Sequence, residues 1–428
     1  MPDIDTRNHN PSSIAAALGA TWALLLGIGL LNLGDGLQAT LLGVRAALES
    51  FPTTATGLLM SAFYIGFLAG SLFAPRSVER VGHIRVFGAL ASLASAAALI
   101  YSVFVTPWAW AVLRFVSGVC FAGLYIVAES WLNDRASNET RGQLLSVYML
   151  VTFGGIAVGQ LLLNVAHPGG YQLFILTSVL ISVALVPLLL SAGGAPSFAQ
   201  PAALSLRALY KLSPLGVLAT ALSGMSSAIF FSMGPVYAQG IGLSVRDISF
   251  FMTAAVLGCL VLQWPVGRLS DRLDRRRVLT GVTFLAALAA AVAIPAAVVS
   301  RDILLLAIAC FGGLALPMYA LAIAHANDSL EPEELVAASS GLVLASGVGA
   351  VLGPVSASAI MEVFGAQGFW WSLAAIHAFV GVFALYRMLR RSAKPLTDQG
   401  EFHPVSSRAS MVAVEWTHDT EHGDEPTP

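Results

Sequence analysis

Stretches of about 20 almost wholly apolar residues alternate with short polar turns along this chain, and twelve such stretches can be laid end to end. They fall near 17–42, 54–74, 85–105, 108–132, 142–165, 171–193, 214–237, 246–267, 278–299, 302–324, 337–361 and 367–389. Each is long enough to cross a hydrocarbon layer about 30 Å thick. Helix is the expected conformation throughout, because a segment facing lipid has no water to satisfy its peptide groups and must bond them internally. The first apolar run is longer than a signal-peptide core and no small-residue cleavage pattern follows it, so it is expected to stay as a membrane helix.

Composition agrees. Of 428 residues 57% are hydrophobic and 11% charged, and the mean hydropathy is +0.78, too little polar surface to face water all round. The formal charge of −2 hides a strong sidedness. Arg76, Arg80, Arg85, Arg135, Arg141, Arg207, Lys211, Arg268, Arg272, Arg275, Arg276, Arg277, Arg387, Arg390, Arg391 and Lys394 fall at the even-numbered turns or after the last span, whereas Arg45, Arg246 and Arg301 fall at the others. The positive-inside rule then assigns both termini to the cytoplasm. Cys120, Cys259 and Cys310 each lie within a span at no metal-ligand spacing, and are expected to be packing residues.

The apolar pattern repeats. Tyr125, Ala128, Asn133 and Asp134 in the fourth span return as Tyr319, Ala322, Asn327 and Asp328 in the tenth, about 194 residues on. The turn at Glu79-Arg80 returns at Asp271-Arg272, and Gly142 and Gly154 are matched with Gly341 and Gly353. A duplicated multi-helix unit in so apolar a chain points to two bundles that rock about a shared site. The expected organisation is therefore an N-terminal segment 1–16, a six-helix bundle 17–193, a linker 194–213, a second six-helix bundle 214–390 and a tail 391–428. The linker carries Gly, Pro and Ser followed by a short basic amphipathic run, suited to the membrane surface. The tail is acidic, with Asp398, Glu401, Glu415, Asp419, Glu421, Asp424 and Glu425, and is expected to be disordered and without a transport role.

The most specific local signal is Gly267-Arg268-Leu269-Ser270-Asp271-Arg272-Leu273-Asp274-Arg275-Arg276 at the end of the eighth span, with a weaker first-half copy containing Pro75, Glu79, Arg80, Gly82 and His83. A carboxylate at such a turn can sit at a helix N-terminus of the other half while arginines bind carboxylates or phosphates beside it. Plain positive-inside arginines would explain the basic residues but not the glycine and aspartate. This run resembles the turn signature G-x-L-x-D-R-x-G-R-R of the major facilitator superfamily, with Asp274 where a glycine is usual. Arg114-Phe115-Val116-Ser117-Gly118 is similar to the arginine motif of proton-coupled members, and Gly349, Gly353 and Pro354 to the superfamily's G-x-x-x-G-P element. The fifth span has Gly154, Gly155 and Gly159 but lacks the Gly-Pro pair of the antiporter signature. Gln263-Trp264-Pro265-Val266-Gly267-Arg268-Leu269 and Arg141-Gly142-Gln143-Leu144-Leu145 bring the chain nearest to the YcaD-like bacterial subgroup. The resemblance covers residues 17–390 and implies an all-α membrane protein of twelve helices in two pseudo-symmetric bundles, a central cavity, alternating access and the bacterial inner membrane.

Candidate chemistry lies in the charges within the spans, since a lone ion is expensive in lipid. Asp35 and Arg114 share a depth roughly 10 Å from the same end of their helices, at about 1.5 Å per residue, and are expected to face each other, with proton or substrate competing for the pair. Asn32, Asp35 and Gln38, at three-residue steps, make one side of the first span polar. Glu129 lies about 22 Å along the fourth span from Arg114 and is expected to latch to Arg76 or Arg80. Glu79, Arg80, Gly82, Glu129, Gly267, Asp271, Arg272, Arg275 and Arg276 are the candidate latch; Gly154, Gly155, Gly159, Gly349, Gly353 and Pro354 the candidate pivots. Tyr64, Tyr125, Phe230, Phe231, Tyr319 and Trp371 are candidates to shape an apolar pocket, with Tyr125 and Tyr319 favoured because the duplication keeps both.

Together these features favour a secondary active transporter, driven by a proton gradient and exporting a small organic molecule. An uncoupled facilitator or membrane sensor of the same fold is the alternative. With no metal-ligand cluster, P-loop or nucleophile motif in the sequence, an enzyme is disfavoured. The expected partners are a small-molecule substrate and the lipid bilayer, with no nucleic acid, metal or cofactor, and the expected state is a monomer.

Overall fold

The computed structural model describes residues 13–137, 140–190, 205–390 and 395–415. Twelve helices or helix pairs are long and apolar enough to span a membrane. The first six are α1 (Ile14–Leu48), α2 (Thr53–Val81), α3 (His83–Val103), α4 (Pro107–Asp134), α5 (Arg141–Leu161) with a 3-10 turn to Val165, and α6 (Gln172–Leu190). After a short helix, α7 (Leu206–Leu212), come α8 (Pro214–Gly240), α9 (Val245–Arg272), α10 (Arg275–Val299), the pair α11 (Arg301–Ala315) and α12 (Met318–Asn327), then α13 (Pro332–Phe364) and α14 (Gly368–Arg390). A last short helix, α15 (Met411–Glu415), lies in the tail.

Local chemistry sets the ends. Ser13, Thr106, Ser205, Ser244 and Ser300 accept a backbone N–H of the first turn that follows, and Pro107, Pro214 and Pro332 stand where a helix has no N–H to satisfy. Only Gly82, at φ +87°, separates α2 from α3, a conformation costly for any residue with a Cβ. Asp274 at the matching turn of the second half uses a different device: it caps α10, accepting the Arg276 N–H at 3.0 Å. The tenth span is broken at Pro317, whose ring and missing N–H cannot continue a helix.

The duplication is visible in which helices meet. In the first bundle α2 packs on α4 and α1 on α5 and α6; in the second α9 packs on α11 and α8 on α13 and α14. Glycines set matched contacts: Gly66 and Gly118 lie against α4 and α2 backbone, as Gly258 and Gly312 do between α9 and α11. Gly159 sits on the Leu33 carbonyl of α1, and its counterpart Gly353 sits 2.7 Å (as a Cβ would) from the Met225 carbonyl of α8. Gly155 and Gly349 pair in the same way at the same 194-residue offset. Gly154, by contrast, has nothing within 4 Å of a Cβ, so its expected pivot role is corrected, and its match with Gly353 passes to Gly159.

Large apolar side chains such as Trp22, Phe73, Trp108 and Leu389 stand exposed around the outside, where lipid would meet them. Leu209 of α7 is buried, anchoring the end of the linker; residues 194–204 of that linker lie outside the described residues, as do 1–12, 391–394 and 416–428. The tail departs from expectation. Residues 395–415 are not a disordered appendage but lie packed between the bundles, with Val405, Ala409, Ala413 and Val414 buried against Leu209, Tyr319, Ile323 and Leu342.

Candidate functional site

Among the described residues the bundles meet chiefly where α2 packs on α13, α1 on α8 and α5 on α9. Away from the arginine-rich turns they touch directly. Ser61 Oγ donates to the Val351 carbonyl at 2.7 Å, Thr253 Oγ1 to the Ala157 carbonyl at 3.2 Å and Asn164 Nδ2 to Ser249 Oγ at 2.7 Å. A Cβ on Gly57 would overlap the Ser358 side chain and stand 2.7 Å from the Pro354 carbonyl oxygen, and one on Gly43 would stand 2.8 Å from Pro235. Toward the arginine-rich turns a cleft of about 600 Å³ opens between α5 and α9, bounded by Met149, Leu150, Leu260 and Trp264, with Phe402 and Pro404 on its wall.

Into this open end runs the tail. The Phe402 N–H donates to Asp271 Oδ1 at 2.9 Å, the Gly400 N–H to Asp328 Oδ1 at 3.2 Å, and Arg275 donates to the Gly400 carbonyl at 2.5 Å. Arg275 also pairs with Asp328 at 2.6 Å. The Phe402 ring lies on Gly267, where a Cβ would collide with it. Deeper in, Arg408 forms an ion pair with Asp35 and lies over the Phe231 ring at 4.9 Å. Tyr64 and Tyr125 stand beside its guanidinium. Only about 30 Å³ is left open next to Arg408, between Tyr64, Phe67, Ser227 and Phe231. Removing either member of a charge pair buried this deeply leaves the other unpartnered at about 3–5 kcal/mol, so Asp35 and Arg408 hold each other in place.

Glu129 has a second set of tail contacts. It is fully buried and accepts the Ser410 N–H at 3.0 Å, the Ser410 hydroxyl, and the Tyr148 hydroxyl at 2.5 Å. Its expected pairing with Arg76 or Arg80 is therefore corrected: Arg76 donates to its own helix at Leu72, and Glu79 and Arg80 are exposed on the surface. The second-half latch residues Gly267, Asp271 and Arg275 do act across a gap, but what they hold is the tail; Arg272 is exposed and Arg276 binds Asp274 within its own turn.

Asp35 and Arg114 are neighbours, yet no ion pair joins them because Asp35 is engaged by Arg408. Arg114 is buried, stacks over Phe63 at 4.3 Å and keeps its Nε without a partner. Asn32 and Tyr125 join the site through a 3.0 Å bond from the Tyr125 hydroxyl, and Gln38 is buried with both amide atoms unpartnered. Tyr319 lies under the tail, its hydroxyl buried without a partner. Of the other aromatics, Phe231 and Tyr64 line the cavity, Phe230 packs in a cluster with Phe251, Phe311 and Phe369, and Trp371 is 54% exposed on the outer surface. Pro354 lies in the α2–α13 contact rather than in the cavity.

The family model described as Major Facilitator Superfamily matches residues 14–211 and 216–417. The chain belongs to that superfamily. It is 31% identical over 378 residues to the MFS-type transporter YcaD of Salmonella arizonae, covering 87% of this chain and 97% of the relative, and 27% identical over 375 residues to that of Escherichia fergusonii, with the same coverage. Among solved structures, the nucleoside transporter NupG superposes with a TM-score of 0.71 at 13% identity, over 87% of this chain and all of that one. A bacterial homologue of the human lysosomal transporter Spinster, inward-facing and occupied, superposes with a TM-score of 0.67 at 15% identity, over 89% of this chain and 98% of the other. This superfamily member is thus a multi-pass membrane transporter, and its relatives and fold are those of transporters, not enzymes.

Sequence reasoning missed Arg408, Ser410, Phe402 and Tyr148 in the transporter's site. One signal was available: within the acidic tail, 405–414 reads VSSRASMVAV, apolar and free of acid.

Proposed function

We propose that this transporter is a proton-coupled secondary active carrier of the bacterial inner membrane, working as a monomer by alternating access and exporting a small organic molecule. The observation that carries the reading is the buried carboxylate of Asp35, paired with Arg408 between bundles that meet at one end and part at the other. With the arginine-rich turns and both termini on the cytoplasmic side, as their charge favours, the open end faces the cytoplasm. A single carboxylate beside Arg114 cannot hold a proton and a positively polarised solute at once, so each displaces the other. Exchange follows: an inward proton gradient loads Asp35 from outside and drives the solute outward. Rocking of the two bundles about the α2–α13 and α1–α8 contacts supplies the alternation, as the duplicated glycine contacts within each bundle favour rigid-body motion.

A thermal-shift screen of metabolites and antibiotics finds a solute through its stabilisation of the folded chain. In proteoliposomes that solute should then accumulate against its gradient and collapse with a protonophore, and Asp35→Asn should abolish the accumulation. Uphill movement that survives in Asp35→Asn sinks the coupling role; movement that only ever runs downhill leaves an uncoupled facilitator.

A further inference from the structure

The tail does not merely lie across the open end; it presents one particular chemical group to the deepest acid. Arg408 delivers a guanidinium to Asp35, over the Phe231 ring at 4.9 Å and beside the phenols of Tyr64 and Tyr125. Carboxylate, ring face and phenol oxygens together form a receptor for a planar or compact cation. The charges nearest Asp35 favour one. Its neighbour Arg114 is spread over Phe63 and forms no ion pair with it, while Glu129, far along α4, is met by hydroxyl and N–H donors, so Asp35 has no ion-pair partner until Arg408 arrives. Around the cation, small neutral Ser227, Gly224, Ser346 and Gly347 stand with Phe67, Leu68 and Val343, so the space the tail would vacate is walled to suit an apolar body. A second anchor nearer the mouth comes from Ser410 on Glu129, and the entry is held by Phe402 on Gly267.

We propose that residues 400–415 are a tethered competitor for the transport site, and that the solute they exclude is an organic cation carrying a guanidinium or amine on an aromatic or small apolar body. This deepens the transport reading and rests on it only for the word solute; the competition stands on the contacts alone. With the tail docked the cavity has no space for a second occupant, and Asp35 has no free charge to offer. A cation that reaches Asp35 displaces Arg408, and the loss of that one pair frees the rest of the segment.

The purified full-length chain tests this with benzylguanidine as probe and benzylurea as its uncharged isostere. Amide hydrogen exchange across 400–415 reads docking directly, since the Phe402 and Ser410 N–H groups are bonded to Asp271 and Glu129. In the wild type these amides should be protected, benzylguanidine should release them, and benzylurea should not. Arg408→Ala should raise their exchange and bind benzylguanidine at least about tenfold more tightly than wild type, because the fraction of chains with an open site rises. Arg408→Lys, which keeps the cation, should keep most of the protection. Equal affinity in wild type and Arg408→Ala, or unprotected tail amides in the wild type, overturns the competitor; release by benzylurea as effective as by benzylguanidine overturns the cation. Should the tail yield to benzylguanidine while proteoliposomes move no solute uphill, the coupled-transport reading fails and this one stands.

Discussion

At one end of the passage Gly57 and Gly43 let helices of opposite bundles meet backbone to backbone, whereas at the other a strap of the chain's own terminus lies between α4, α9, α12 and α13. The first closure is made of rigid elements and can open only if whole bundles move. Strap closure is a segmental matter: its backbone is ordered at a cost of about 1–2 kcal/mol per residue, so it persists only while its contacts offset that cost. Those contacts concentrate on a few side chains, chiefly Arg408, Ser410 and Phe402, and losing one shifts the balance for all. A substitution at the first end should therefore disturb the transport cycle, and one at the second should disturb occupancy while leaving the bundles intact.

The largest effect is expected from Gly57→Leu, which forces a side chain into Ser358 and the Pro354 carbonyl. Overpacking of this kind costs about 1–3 kcal/mol and should hold the far end apart. A cysteine placed at Tyr64 should then react with a membrane-impermeant maleimide from that side, and an unreactive thiol would mean that the glycine does not govern the seal. Next in size, Glu129→Gln replaces a carboxyl acceptor of three donors by an amide, weakening the tail's anchor on α4 by about 1–2 kcal/mol. Exchange at the Ser410 amide should rise while the melting temperature of the bundles barely moves; a large drop in melting temperature would make Glu129 a structural residue instead. Gly267→Ala pushes the Phe402 ring aside for about 1 kcal/mol, and should free the Phe402 amide before the Ser410 amide. Smallest is Asn164→Ala, which removes one interhelical bond to Ser249 worth about 0.6 kcal/mol. A loss of thermal stability from it greater than that from Gly57→Leu would reverse the proposed ranking of far-end contacts.

Most of the fold could be read in advance because the apolar period is long and uninterrupted: all twelve spans lie where the hydrophobic runs do, with ends displaced by a few residues. The tenth is the exception, since its run continues through Pro317 while the helix does not. Repeat register was legible from Tyr125 and Tyr319 but slipped at the glycines, because Gly154 and Gly159 lie on one glycine-rich helix and only packing shows that Gly159 is the counterpart of Gly353. Asp35 and Arg114 are buried, as their rarity in lipid suggested. Their actual partners were not legible, because Arg408 lies 373 residues from Asp35 in a segment whose acidic flanks dominate its composition. Pairwise proximity over such a distance is written in tertiary structure, and a window of composition averages it away. Glu129 illustrates the same limit: its depth was evident from helix rise, but Tyr148 and Ser410 come from other elements.

Only nine residues separate Arg390, the end of the last span, from Gly400 at the mouth. So short a leash fixes the local concentration of Arg408 on the order of millimolar, however little of the protein a membrane contains. An incoming molecule is therefore measured against a constant internal standard, and the dose for half-occupancy should exceed its intrinsic value by a factor set by the chain itself.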